Sequence, residues 1–566
     1  MARDLARTLS PVLRIGYNTR DINANKERGM AEAEEAQNFV DYFVTEVAPI
    51  WKALALARWN LATTGASQYR DEVVELRKRE HRLYEDADDW ERVQSFYAAR
   101  EEYADPLLAR QMEVLHRTFL TNQSTPEENE AIAELEADIQ ELFTNHRAVV
   151  GGRTISDNEI ATILRNETDD GLRRAAWEGS KEVGAQAAAR IRELAHRRND
   201  VARRLGFRDH YAFSLYRQEI DEVELFALFD RLALETADSF TAVKEEVDER
   251  LRARLGLDDS ATLQPWHYAD PFFQEAPPVY EADLNALFAD VDVAAMSIRA
   301  YDGMGLEVRD ILERSDLYER EGKNQHAFCT RIDREGDTRV LCNLRSDSRW
   351  MSTMMHELGH AIYNKYLPLS LPYLLRTPAH TNSTEALAML MGRLTRNPRW
   401  LRDVAKRDPQ AIGELEDELA REHAAAQLIF LRWVMVMLHF ERALYANPDR
   451  QDLDNLWWAL VQRYQQVRRP TGREAPDWAA KYHIALAPVY YHNYILGELI
   501  ASQLEQWVAD ETGGLVENPA AGRLLVERFI AHGARYSWDK LVQVATGELP
   551  NPSYYVAQFV DNPTPA

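Results

Sequence analysis

The sequence predicts a mainly α-helical protein with one small β-hairpin. Three observations carry this. The 24 Gly and 22 Pro make up about 8 % of the 566 residues, against a usual level near ~12 %. Apolar residues recur at helical spacing over most of the chain. Only one stretch, near residues 326–342, alternates as a strand pair does. A hydrophobic content of 45 %, with 18 Phe, 13 Trp and 24 Tyr, excludes wholesale disorder. The length suits several average domains or one large helical domain with two lobes. No linker divides the chain, so we expect a single domain over 30–560 behind an N-terminal extension, 1–29.

The elements follow in order. Residues 31–62 read as a helix, with a kink or break at Pro49. The charge run 75–85 reads as a solvated helix face. A helix is expected over 126–149, with Ser124 or Thr125 as its cap and Glu127 and Glu128 in its first turn. Two more span 169–204 and 222–255. The pattern breaks over 262–343, where prolines cluster at 265, 271, 277 and 278. His326–Ile332, a Gly-containing turn over 333–337 and Arg339–Cys342 then form the hairpin. Helices resume at 350–366, with Ser346 or Asp347 near the start and Pro368 past the end. The apolar run 428–440 contains Arg432 and His439 and reads as a buried core helix.

With 92 acidic and 67 basic residues the formal charge is −25, which argues against nucleic acid and anionic membranes as partners. No apolar run reaches the ~18 residues of a spanning helix, and no secretory signal is evident. The expectation is a cytoplasmic protein without membrane contact. Two cysteines, Cys329 and Cys342, exclude a disulfide framework and a thiolate metal cluster. One bridge between them stays open.

His356-Glu357-Leu358-Gly359-His360 is the sharpest signal. On a helix, residues four apart lie on one face about 6 Å apart along the axis. Both imidazoles can then reach one Zn²⁺, and Glu357 is placed to act as general base on a water that the metal activates. The residues three and six positions after His360 are Tyr363 and Tyr366, which removes one common source of a third ligand. Over 361–400 the sole carboxylate is Glu385, so Glu385 is the assignment. Two alternatives stay open: His380 as ligand, or Glu385 as a plain helix-start charge. Three protein ligands leave a fourth position free, the pattern of a catalytic site. Farther on, Lys481, His483, Tyr490, Tyr491 and Tyr494 cluster. A neutral Tyr or a His there can serve an oxyanion, although such a cluster is also ordinary core packing.

At this point the chain resembles the angiotensin-converting-enzyme-like peptidyl-dipeptidases, zinc peptidases of the gluzincin type. Ala176-Trp-Glu-Gly179, Gln264-Pro-Trp266, His326-Ala327, Lys481-Tyr-His483-Ile and Ala545-Thr-Gly resemble that family's segments in the same order, over roughly 30–550. The resemblance implies two helical lobes flanking a deep channel, with one zinc ion at its floor beside the hairpin. It implies His356, His360 and Glu385 as ligands, Glu357 as base and later acid, and Tyr494 and His483 as oxyanion donors. Gln264, Lys481 and Tyr491 would hold the substrate's C-terminal carboxylate, with Tyr490 as the alternative to Tyr491. His326 and Ala327 would pair with the peptide backbone.

Release of C-terminal dipeptides is the activity implied, because Gln264 stands where the single-residue carboxypeptidase branch has Arg. A single-residue carboxypeptidase or an oligoendopeptidase on the same fold is the alternative. A catalytically silent peptide-binding protein is the alternative of another class. Val461 and Asn493 replace the family's chloride-binding arginines, so chloride activation is expected to be weak or absent. Met389 replaces an Asp that would support a zinc ligand. Short peptides are the expected partners of a monomer or weak dimer.

Overall fold

The computed structural model describes residues 19–280 and 284–561. It is mainly α, with two small antiparallel hairpins. The first helix, Thr19–Thr64, begins inside the expected extension and runs through Pro49 without a break. Residues 1–18 of that extension lie outside the described residues. Proline costs one backbone bond, but the buried stripe Phe39, Val40, Phe43, Val47, Ile50 and Leu54 continues across it. Packing on that stripe holds the helix as one element.

Two expected helices are divided. The Pro126–Asn145 helix carries the expected Thr125 cap and stops four residues early. Ala148–Val150 then pairs with Arg153–Ile155 around Gly151 and Gly152, both at positive φ. The Gly-Gly pair is the turn signal for this second hairpin. It lies on the Asp170–Arg204 helix at Gly179, where a Cβ would sit 2.6 Å from the Ala148 Cβ. The 222–255 span divides into Glu222–Glu235 and Ala237–Leu255. Between them the buried Thr236 hydroxyl donates to the Leu232 carbonyl and accepts from Arg432. The hairpin beside the metal motif is as expected, Phe328–Arg331 with Thr338–Leu341.

Three cores organise the chain. One gathers 139–273 with 424–499 around Trp177, Trp433, Trp457 and Trp478. A second surrounds the Ser348–Lys365 and Thr381–Arg393 helices. A third, smaller core joins the N-terminal helices through Phe39, Phe43, Tyr84, Phe96 and Phe119. Two helices run through both large cores. Pro409–Ala446 places Ile412 and Leu419 in the second and Leu428 to Phe440 in the first. It is long and apolar enough to cross a membrane, and it is interior here. His492–Thr512 places Ile495, Leu496 and Leu499 in the first core and Ile500, Leu504 and Val508 in the second.

Cys329 and Cys342 are free. Cys329 pairs across the hairpin with Val340, and its sulfur faces Asn364. Cys342 is buried with its sulfur against Met354. The two thiols serve different neighbours.

Candidate metal and catalytic site

The Asp347 carboxylate caps the Ser348–Lys365 helix through the Trp350 N–H, at 2.7 Å. His356 and His360 then share one face, with ring centroids 4.8 Å apart and nearly perpendicular. The Thr381–Arg393 helix brings Glu385 to them. Its Oε2 lies 3.6 Å from His356 Nε2 and 3.8 Å from His360 Nε2. The three ligand atoms lie within 4.8 Å of one another. Burial pushes His356 down to about 4 and His360 to about 3, so both imidazoles are neutral and present lone pairs. Two neutral imidazoles and a carboxylate form a donor set that fits Zn²⁺. His380 stays outside the set. Its Nδ1 accepts from the Asn382 N–H and caps the Glu385 helix.

Two glycines let the backbones converge behind the ligands. A Cβ on Gly359 would meet the Ala388 Cα at 2.6 Å, and one on Gly497 would meet Glu385 Cβ and Met389 Sδ at 3.1 Å. Met389, which stands where a supporting carboxylate was sought, therefore packs behind the ligand. The support comes instead from Thr384. Its Oγ1 is 2.8 Å from His360 Nδ1 and would accept the Nδ1 proton in the tautomer that leaves Nε2 free for a metal. A hydroxyl next to the ligand glutamate was its only sequence signal.

Glu357 is buried. Loss of water and the charge of Glu385 push its carboxyl up to about 8, against the Cys329 backbone, which opposes the shift. The hairpin strand thus borders the site through Cys329. Ala327 packs on the metal-helix core. His326 is exposed, and its N–H is taken by Asn324.

Tyr490 and Tyr494 have ring centroids 5.3 Å apart, and burial, then the Glu385 carboxylate, raises both hydroxyls. Tyr491 packs on Tyr494 at 5.7 Å and reaches on to His483 at 4.9 Å and Trp433 at 5.9 Å. Lys481 Nζ lies 5.6 Å from the Tyr491 ring and 5.1 Å from Phe272 and Trp433. Burial lowers this ammonium to about 8 although Asp270 and Glu275 oppose the shift. Burial likewise lowers His483 to about 4, and its Nδ1 has no hydrogen-bond partner. Of the two tyrosines weighed for the carboxylate, Tyr491 is the one beside Lys481.

Gln264 is not brought to Lys481. Its N–H donates to His267 Nδ1 and its side chain to the Thr262 carbonyl, so it opens the Pro265–His267 turn. Asp170 anchors that turn through Trp266 and His267. The chain then wraps around Asp270, whose carboxylate accepts the N–H groups of Phe272, Gln274 and Glu275. This wrap delivers Gln274, and its Oε1 accepts from Lys481 Nζ at 2.7 Å. Gln274, and not Gln264, is the glutamine hydrogen-bonded to Lys481.

The loop before the tyrosines is tightly held. Val489 adopts φ of 54°, a left-handed conformation that is costly for a β-branched residue. Its N–H donates to Glu441 Oε1 at 2.9 Å and its carbonyl accepts from Gln218 at 3.1 Å. Gln218 Oε1 in turn accepts from Asn493 at 2.7 Å. Val461 lines a small apolar cavity with Trp177, Trp457 and Trp458. Lys181 lines it too, with its ammonium on the Pro271 carbonyl and over the Phe272 ring.

Two family models match the chain. Angiotensin-converting enzyme matches residues 30–247, and Peptidase family M3 matches residues 309–561. The second span holds the metal cluster, Glu357 and the tyrosines. No curated protein matches the chain.

Proposed function

We propose, for a chain that belongs to the angiotensin-converting-enzyme-like gluzincin zinc metallopeptidases, that it releases dipeptides from the C-terminus of short peptides. One observation carries the finer reading. A buried ammonium, Lys481, stands among Phe272, Trp433 and Tyr491 with a neutral Gln274 as its hydrogen-bond partner. A buried cation without a carboxylate hydrogen-bonded to it suits a peptide's terminal carboxylate.

Zn²⁺, when bound by His356, His360 and Glu385, supplies a Lewis acid and a water of lowered pKa. Glu357 takes a proton from the attacking water and passes it to the leaving amine nitrogen. The Tyr494 hydroxyl and His483 donate to the oxyanion as it develops. Tyr491 orients the terminal carboxylate on Lys481, and the strand that Ala327 opens offers its backbone to the peptide.

The test is a panel of free and amidated peptides digested by the zinc-loaded protein and read by mass spectrometry. Stepwise loss of dipeptides from free peptides alone is expected. Loss of single residues would mark a carboxypeptidase, and equal cleavage of amidated peptides an oligoendopeptidase. Absence of any cleavage with peptide still bound would mark a silent binder. The same panel in chloride and in sulfate at equal ionic strength is expected to give equal rates. Asn493 is a neutral partner of Gln218, and Lys181 already has a carbonyl and a ring.

A further inference from the structure

We propose that the cavity running from His356 along its helix is a subsite for an acidic side chain of the bound peptide, glutamate above all. This rests on the peptidase reading, and names part of its substrate class. The cavity measures about 470 Å³ and opens directly on His356 and Glu357, so a substrate at the metal has access to it. Arg349, Thr353 and His356 fall on one helix face at spacings of four and three. Arg349 is about 10 Å along the axis from His356, a distance that a peptide covers in about three residues. From across the cavity, past the end of the Glu385 helix, comes Arg396.

The donors that face this space are few and cationic. Ser348 donates to Asn285, and Ser352 and Thr395 both donate to the Gly392 carbonyl. Their protons are committed. That leaves the two guanidinium groups and the Thr353 hydroxyl. Arg396 is 4.0 Å from Glu422, and its buried Nε has no hydrogen-bond partner. Arg349 is exposed and has no carboxylate partner among the described residues. Glu357 is the only carboxylate that lines the cavity among the described residues. In a chain with 92 acids against 67 bases, this cavity is lined by two guanidinium groups and, among the described residues, a single carboxylate. Leu284 and Phe288 supply an apolar wall, which fits the methylenes of glutamate while its carboxylate meets the guanidinium forks.

The test uses the full, zinc-loaded protein and unblocked hexapeptides in which one position at a time is Glu, Gln or Lys. At one position within about three residues of the cleaved bond, Glu is expected to exceed Gln at least about tenfold in kcat/KM, with Lys lowest. Arg396→Gln and Arg349→Gln are each expected to bring the Glu to Gln ratio toward one, and added salt to shrink it. Binding of the same peptides to the Glu357→Gln protein should follow the same ranking. Cleavage with equal ratios at every position, or a ratio that both arginine variants leave intact, overturns the subsite and spares the peptidase reading. Neither cleavage nor binding of any peptide overturns both.

Discussion

Val489 is an instructive residue because its backbone is unfavourable by itself. The strain persists because Glu441 and Gln218 hold its two backbone groups. Glu441 has its own cost, since burial raises its carboxyl to about 8. The folded state keeps a proton on Glu441 where the unfolded chain would release it, from pH about 4.3 upward. Stability from this group therefore falls as pH rises to about 8 and is level above that. Glu441→Gln keeps an oxygen for the Val489 N–H and removes the titration. Its Tm relative to wild type should rise through that window, as melts from pH 5 to 9 would show.

At Lys481 the sign is the opposite. Its ammonium, lowered to about 8, is lost as pH rises, so kcat/KM for free peptides should fall above pH 8. Lys481→Met should raise KM about 10- to 100-fold with a smaller change in kcat.

Among the elements, the three helices that meet behind Glu385 matter most. Gly359→Ala places a Cβ 2.6 Å from backbone and should cost about 1–3 kcal/mol, read by denaturant unfolding. Thr384→Val keeps the shape and removes the acceptor of the His360 proton. It should weaken zinc binding about 10- to 100-fold in a competition titration, with an unchanged circular dichroism spectrum. What the sequence made legible at this scale follows from locality. His356, Glu357 and His360 are fixed by one helical turn, and Glu385 stood out because no other carboxylate lies near it. Gln274 did not, because its placement depends on a wrap of N–H groups around Asp270, which no periodicity records. Pro49 does not end its helix because packing outweighs a single lost backbone bond. The division at Thr236 turns on Arg432, which is 196 residues away in sequence.

On the scale of the whole molecule, net charge of −25 suggested only which partners to exclude. The folded chain distributes that charge unevenly. Cations stand out at two places, Lys481 hydrogen-bonded to Gln274 and Arg349 with Arg396 on the cavity that His356 lines. The mainly helical class was legible because it is written in composition and repeated spacing. The way the two large cores share helices was not, since each helix alone shows only that it is apolar.

That sharing has a thermodynamic consequence. Pro409–Ala446 and His492–Thr512 each lay one end in one core and one end in the other. Neither core can melt without stripping the apolar face from a helix that the other still needs. Chains of this size commonly lose their parts in sequence. Here the two large cores should give a single endotherm, with calorimetric and van't Hoff enthalpies in agreement over that transition. Two resolved endotherms for these cores would contradict this. A chelator should move that endotherm to lower temperature as one peak, because Glu385 and both histidines lie within the shared unit and not at a seam between separable parts.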